Sequence, residues 1–148
     1  MDYKDFKIDG KMVMDYCGES KDVVIPNGVT DIFFQAFCES KDIESVSIPG
    51  SVKEVPPFVF AMFDCLQKVT INEGVKKICS CAFDCCENLQ VIYLPKSLKT
   101  LEEFSFSNCK LLKEVHFSGS SLEWDKIDKQ QNWNKNSGNF TIIFNDKK

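Results

Sequence analysis

The sequence lacks most of the features on which enzymes, membrane proteins and nucleic-acid-binding proteins depend. It contains one histidine, His116, and no phosphate-cradling glycine loop, H-E-x-x-H or G-x-S-x-G motif. No stretch approaches the roughly 20 apolar residues of a membrane-spanning helix. The formal net charge of -4 repels nucleic acid and anionic lipid. We therefore expect no enzymatic activity, no cofactor, no nucleic-acid partner and no membrane insertion.

The sequence also lacks a recognisable export signal. The first ten residues, MDYKDFKIDG, have no apolar run after a basic stretch, so they do not predict a signal peptide. Eight cysteines without such a signal indicate a reducing compartment in which the thiols stay free. These two observations favour an intracellular location.

What the sequence does contain is a repeat with a period of 23 residues. V-V-I-P-N-G-V begins at Val23, V-S-I-P-G-S-V at Val46, V-T-I-N-E-G-V at Val69 and I-Y-L-P-K-S-L at Ile92. A fifth start, at Val115, is followed by a decayed pattern. Such a period indicates a solenoid, because one coil cannot bury its own apolar face whereas stacked coils build a continuous core.

Five columns of apolar residues keep this period and predict the inward-facing core. One of the columns consists entirely of phenylalanine. The columns are Ile25, Ile48, Ile71, Leu94 and Phe117; Val29, Val52, Val75 and Leu98; Ile32, Val55, Ile78 and Leu101; Phe37, Phe60, Phe83 and Phe106; and Ile43, Leu66, Leu89 and Leu112.

Each coil is predicted to contain a strand and a short helical turn. The alternation that ends at Leu94 is typical of a strand with one buried face, and proline at 26, 49 and 95 ends the strand because it lacks an N–H. Ile78, Ala82 and Phe83 are spaced for one face of a helical turn. The predicted fold class is α/β, a solenoid of about four 23-residue coils with a parallel sheet on one side and short helical turns on the other.

The pattern of the coils resembles a known family. The third coil reads I-N-E-G-V-K-K-I-C-S-C-A-F-D-C-C-E-N-L from Ile71 to Leu89, which resembles the BspA-like, or Treponema pallidum-type, leucine-rich repeats. Residues 6–16 resemble the family's N-terminal hairpin cap, and residues 117–127 and 140–144 resemble its closing segment. The resemblance implies a leucine-rich-repeat solenoid over nearly the whole chain. It also implies a cell-surface or secreted location and an adhesin-like role in binding host matrix or surface proteins.

We divide the single leucine-rich-repeat domain, residues 1–148, into three parts. Residues 1–22 are predicted to form an N-terminal hairpin cap, residues 23–114 four repeats, and residues 115–148 a partial repeat with a C-terminal cap. The tryptophans of the last part are expected to cover the final coil. Its polar stretch, residues 128–139, is expected to be a mobile loop.

The outward side of the sheet is the predicted binding surface. Alternate residues of a strand face outward, and solenoids of this type present such an extended sheet to partners. Val91, Tyr93 and His116 are its least polar part, and tyrosine is enriched at interface hot spots. A solvated sheet stabilised by cross-strand pairs is the alternative interpretation. The predicted site residues are Ser45, Ser47, Lys68, Thr70, Val91, Tyr93, Glu114 and His116.

The clustered cysteines could indicate a metal site, but their spacing indicates that they pack against the core. Cysteines 79, 81, 85 and 86 lie close together, yet a helical turn would point their side chains in different directions. Cys86 and Cys109 share a repeat position with Ser40 and Phe63, which indicates contact with the core. We expect no metal, and we expect Cys86 and Cys109 to be stacked neighbours that remain thiols.

The sequence is compatible with three functions. The leading one is a monomeric module that binds a protein partner through the sheet. The second is a structural unit that associates with copies of itself through its edges. The third is an enzyme that uses a Cys/His pair, which the topology opposes because His116 faces outward and Cys109 faces the core.

Overall fold

The 23-residue period becomes a stack of coils whose strands form three sheets. The structure, a computed structural model, describes residues 3–145. Its strands are β1 (Phe6–Asp9), β2 (Met12–Tyr16), β3 (Asp22–Val24), β4 (Asp31–Ile32), β5 (Ser45–Ile48), β6 (Glu54–Val55), β7 (Lys68–Ile71), β8 (Lys77–Ile78), β9 (Val91–Leu94), β10 (Thr100–Leu101), β11 (Glu114–Phe117), β12 (Asp128–Lys129) and β13 (Thr141–Phe144), and its helix is α1 (Ser121–Asp125).

A parallel sheet of six strands confirms the predicted parallel sheet. Its order is β13-β11-β9-β7-β5-β3, and from β3 to β11 each residue pairs with the residue 23 positions later. A second parallel sheet, β12-β10-β8-β6, consists of two-residue strands. At the N-terminal end, β1 and β2 form an antiparallel hairpin, and β2 pairs with β4 in parallel.

The solenoid has about six turns rather than the four expected, because the two ends of the described chain also adopt coil geometry. β13 extends the main sheet although Thr141 follows its partner Glu114 by 27 residues. β12 extends the second sheet although Asp128 follows Thr100 by 28 residues. Helix α1 and the turns after it accommodate the extra length. The outermost residues assigned to the caps, 1–2 and 146–148, lie outside the described residues.

Turns and two-residue strands stand where short helical turns were expected. Their cause is a pair of residues four positions apart in each central coil, such as Phe58 and Met62, whose φ angles are 62° and 63°. A left-handed residue cannot continue a right-handed helix. The amide of Met62 bonds to the next coil instead, since its N–H donates to Asp84 O at 2.8 Å. The chain is therefore a parallel β-solenoid with almost no helix.

The one helix in residues 3–145 is α1, in the segment that lengthens the last coil. Ser120 and Glu123 form a capping box at its start, in which each side chain accepts from the backbone N–H of the other residue. With five residues, α1 is far too short to cross a bilayer, and the described part of the chain offers no other candidate.

The apolar columns form one continuous core, as predicted. All four residues of the phenylalanine column are fully buried. The ring centroids of Phe37 and Phe60 lie 5.0 Å apart, those of Phe60 and Phe83 5.4 Å, and those of Phe83 and Phe106 4.9 Å. Trp133 extends this column through an edge-to-face contact, with its ring centroid 6.5 Å from that of Phe106. Residues 128–139 are thus not the expected loop, since they contribute β12 and the buried Trp133.

Candidate functional site

The predicted site residues lie together on the outward face of the six-stranded sheet, in two rows that cross all six strands. Within each row, neighbouring residues are cross-strand partners in the parallel ladder. The first row is Asp22, Ser45, Lys68, Val91, Glu114 and Thr141, and the second is Val24, Ser47, Thr70, Tyr93, His116 and Ile143.

Four of these twelve residues were not predicted. Asp22 and Val24 lie 23 residues before Ser45 and Ser47, so the repeat itself could have identified them. Thr141 and Ile143 could not be found in this way because the step to β13 is four residues longer than the period. The outward face is therefore wider than predicted at both ends.

An aromatic cluster occupies the centre of this face. The rings of Tyr93 and His116 are stacked, with centroids 4.6 Å apart and planes 17° from parallel. Nζ of Lys68 lies 5.6 Å from the centroid of the Tyr93 ring, within the range of a cation–π contact. Nε2 of His116 lies 2.7 Å from Oε1 of Glu114. These four side chains fix one another, with a positive group at one end and a carboxylate at the other.

Apart from the exposed Val24, the β3 end of the face is polar and is also held by hydrogen bonds. The hydroxyl of Ser45 donates to Oδ1 of Asp22 at 2.8 Å. The side-chain amide of Asn72 donates to the hydroxyl of Ser47 at 2.9 Å and to the carbonyl of Ile48 at 2.8 Å. Asn72 stands where three other coils have proline, at 26, 49 and 95, so its side chain stabilises the strand end in a different way.

Two depressions run beside the second row, where the strands end. One, of about 680 Å³, is lined by residues that include Val24, Ser47 and Gly50. The other, of about 410 Å³, is lined by residues that include Tyr93 and His116. Both depressions share Asn72 and Glu73, so they border each other. Their volumes fall within the range of ligand-binding clefts, and each is large enough to receive side chains of a partner.

The repeat sequence matches a known family over most of its length. A family model described as "BspA type Leucine rich repeat region" matches residues 8–135 in six copies. This chain belongs to the BspA-type leucine-rich repeat family. The match begins before the first 23-residue start at Val23 and ends before β13, the last strand of the main sheet.

Two solved structures are similar to this BspA-type chain. A leucine-rich cell surface protein from Faecalibacterium prausnitzii A2-165 is 30% identical, with a TM-score of 0.71 over 80% of this chain and 32% of its own. The pneumococcal vaccine antigen PcpA is 20% identical, with a TM-score of 0.64 over 95% of this chain and 47% of its own, which supports the fold alone. The chain thus spans less than half the length of either structure. No curated protein matches it.

The cysteines of the BspA-type chain differ in burial: two are buried in the core, three are half-buried and three are exposed. Cys86 and Cys109 are buried, and their thiols donate to Phe60 O at 3.1 Å and to Phe83 O at 3.4 Å, one coil earlier in each case. Burial raises the pKa of Cys109 to about 12 and that of Cys86 well above its ordinary value. Burial, then the nearby Glu102 carboxylate, raises the pKa of Cys79 to about 11. Neutral thiols are poor nucleophiles and poor metal ligands.

The structure does not bring His116 together with a thiol. His116 bonds to Glu114 on the sheet face, whereas Cys109 bonds to the carbonyl of Phe83 inside the core. Within residues 3–145, no group of three histidine, cysteine, aspartate or glutamate side chains is placed to hold a metal ion.

All eight cysteines are free in the structure, and their thiols should differ sharply in reactivity because their exposure differs. Cys17, Cys38 and Cys65 are exposed and should react rapidly with DTNB in the native protein, whereas Cys86 and Cys109 should react only after unfolding.

The free energy of unfolding should also fall as the pH rises from the ordinary thiol pKa of 9.0 toward about 12, because folded Cys109 holds its proton more tightly than unfolded Cys109.

Mass spectrometry of partly labelled protein identifies the modified cysteines, and denatured protein should titrate all eight. Urea unfolding on either side of the ordinary thiol pKa checks the pH effect. Rapid native labelling of Cys86 or Cys109 would show that this part of the core is not closed. Failure of denatured protein to release any thiol from these two residues would instead indicate that they form a disulfide.

Proposed function

We propose that this BspA-type chain is an interaction module that binds a protein partner through the outward face of the six-stranded sheet. The observation that carries the proposal is the cluster formed by Lys68, Tyr93, His116 and Glu114. Because these side chains are already ordered by contacts with one another, binding would cost little additional side-chain entropy. Tyrosine in such a setting is a typical hot-spot residue.

The chemistry of the face fits a protein surface. An aromatic centre with groups of both charges beside it is characteristic of protein–protein interfaces, which combine an apolar core with a polar rim. The depression beside Tyr93 and His116 is positioned to receive a partner side chain next to the stacked rings. The cell-surface description of the Faecalibacterium structure supports an adhesin-like form of the proposal, in which the partner is a host matrix or surface protein.

The proposal predicts that binding is lost when the stacked pair is removed. Immobilised wild-type chain and a Tyr93→Ala/His116→Ala variant should be compared for capture of purified host matrix proteins and of proteins from the source cell's lysate. We expect the variant to bind its partner at least about tenfold more weakly, since truncated hot spots cost about 2 kcal/mol or more. Surface plasmon resonance with the captured partner measures the change.

A matched control lies on the second sheet. Thr100 and Asp128 are cross-strand partners there, as Tyr93 and His116 are on the main sheet. A Thr100→Ala/Asp128→Ala variant should retain full binding, and circular dichroism should show that both variants are folded. Equal capture by the wild type and the Tyr93→Ala/His116→Ala variant would reject the outward face as the binding site.

A further inference from the structure

The two ends of the six-stranded sheet differ in how completely their inward residues are covered. At the β3 end, Val23 is only 3% exposed, and the hairpin residue Tyr16 is buried nearby. At the β13 end, Ile142 and Phe144 are only partly buried, although they pair with the fully covered Val115 and Phe117 of β11. In the described part of the chain, no further coil lies over β13. Within residues 3–145, both apolar side chains and the outer edge of β13 are therefore uncovered.

The strand at this open edge also differs from the other sheet edges in composition. Charged residues on an edge strand are a common protection against pairing with another chain. The other terminal strands of the three sheets all carry such residues, whereas β13 reads T-I-I-F. The charged edge residues are Lys7 and Asp9 in β1, Asp22 in β3, Asp31 in β4, Glu54 in β6, and Asp128 and Lys129 in β12.

The sequence around β13 is nearly the same in both directions. Residues 139–145 read N-F-T-I-I-F-N, which is symmetric about Ile142 apart from the pair Thr141 and Ile143. An antiparallel copy centred on Ile142 would therefore place asparagine opposite asparagine and phenylalanine opposite phenylalanine, with no charged residue in the paired segment. A strand of this composition is suited to pair with itself.

The orientation of the side chains is compatible with an antiparallel register centred on Ile142. Phe140, Ile142 and Phe144 pack against the core and are half-buried, whereas Thr141 and Ile143 are exposed. Opposite residues of an antiparallel pair point to the same side of the sheet. Centred on Ile142, the register places inward residues opposite inward residues and outward residues opposite outward residues.

We propose that two copies of the chain form a dimer in which their β13 strands pair antiparallel about Ile142 and join the two main sheets into one. The contact is isologous, so it closes at two copies and produces no filament. It covers the half-exposed Phe140, Ile142 and Phe144 and satisfies the open strand edge. This proposal replaces the monomer expected from sequence and does not depend on the proposed function of the outward face.

Sedimentation velocity of the full chain over a wide concentration range tests the proposal. We expect a reversible change from the 16.9 kDa monomer to twice that mass, with no larger species. A Thr141→Lys/Ile143→Lys variant places lysines opposite lysines across the pair and should dimerise at least about tenfold more weakly, since opposed like charges are destabilising. A Thr141→Glu/Ile143→Glu variant should also dimerise weakly, and mixing the two variants should restore a heterodimer.

The rescue on mixing distinguishes loss of pairing from loss of folding, and circular dichroism checks each variant directly. Val24→Lys is the matched control, because Val24 is an outward residue on the strand at the opposite end of the same sheet and is 71% exposed. It should dimerise like the wild type. In the wild type, hydrogen exchange of the β13 amides should slow as concentration rises. A monomer at all concentrations, oligomers beyond the dimer, loss of dimer in Val24→Lys, or no rescue on mixing would each overturn the proposal.

Discussion

Replacing Phe83 with alanine is expected to lower the free energy of unfolding by about 3–5 kcal/mol, as large aromatic truncations in closed cores do. Phe83 is fully buried in the middle of the phenylalanine column. Its ring is stacked on Phe60, with planes 9° from parallel, and on Phe106, with planes 2° from parallel. The substitution therefore leaves a cavity between two rings that the adjacent coils hold in place and removes both aromatic contacts.

This loss is a large fraction of the stability of a domain, which is typically about 5–15 kcal/mol. Because each coil contacts only its neighbours, a weak central coil should also uncouple the two halves of the solenoid. Urea unfolding followed by far-ultraviolet circular dichroism reports on the whole chain, whereas fluorescence reports on Trp124 and Trp133 in the last coils. We expect the midpoint to fall by both probes and the two curves to separate in the variant.

Phe58→Ala is the matched control, because it removes the same atoms from a side chain that is 58% exposed. Alanine can occupy the left-handed backbone of Phe58 about as well as phenylalanine can, so the change in free energy of unfolding should stay within about 0.5 kcal/mol. If Phe58→Ala were as damaging as Phe83→Ala, the stacked column would not be the main source of stability.

The core could be predicted from the sequence because burial repeats at fixed positions. Each coil must place an apolar side chain at the same point, so Phe37, Phe60, Phe83 and Phe106 are visible as a column without any structure. The turns could not be predicted in this way. Phe58 and Cys81 adopt positive φ angles although neither residue type favours them. Tertiary contacts between coils impose the positive φ angles of these two residues, and their own residue types do not predict them.

The positions of the candidate site residues could be predicted from the sequence, but the contacts between their side chains could not. Alternation along each strand assigns Tyr93 and His116 to the outward face, because side chains of a strand alternate between its two sides. It does not show that their rings stack or that His116 bonds to Glu114, since those contacts depend on side-chain rotamers and strand register. The place of β13 beside β11 was missed for a different reason, although residues 140–144 were expected to form a closing segment. An insertion that contains α1 lengthens the last step, so a fixed period cannot place Ile143 beside His116.

The second large effect is expected at Gly50, where two coils approach each other through their backbones. A Cβ atom on Gly50 would lie 1.8 Å from the carbonyl oxygen of Glu73, and a Cβ on Gly74 would lie 2.6 Å from the carbonyl oxygen of Gly50. Backbone atoms cannot move aside without shifting a whole coil. Gly50→Ala should therefore cost about 3 kcal/mol, as overpacking of a closed site does.

This substitution should also alter the outward face, because Gly50 and Glu73 both line the larger depression beside it. Gly10→Ala is the comparison, since a Cβ there would meet nothing within 4 Å, although Gly10, unlike Gly50, has a positive φ, of +61°. That change should cost only the strain of a left-handed alanine, about 1 kcal/mol. Urea unfolding of the two variants measures the difference. Equal losses would mean that the close approach of adjacent coils does not explain the glycine at position 50.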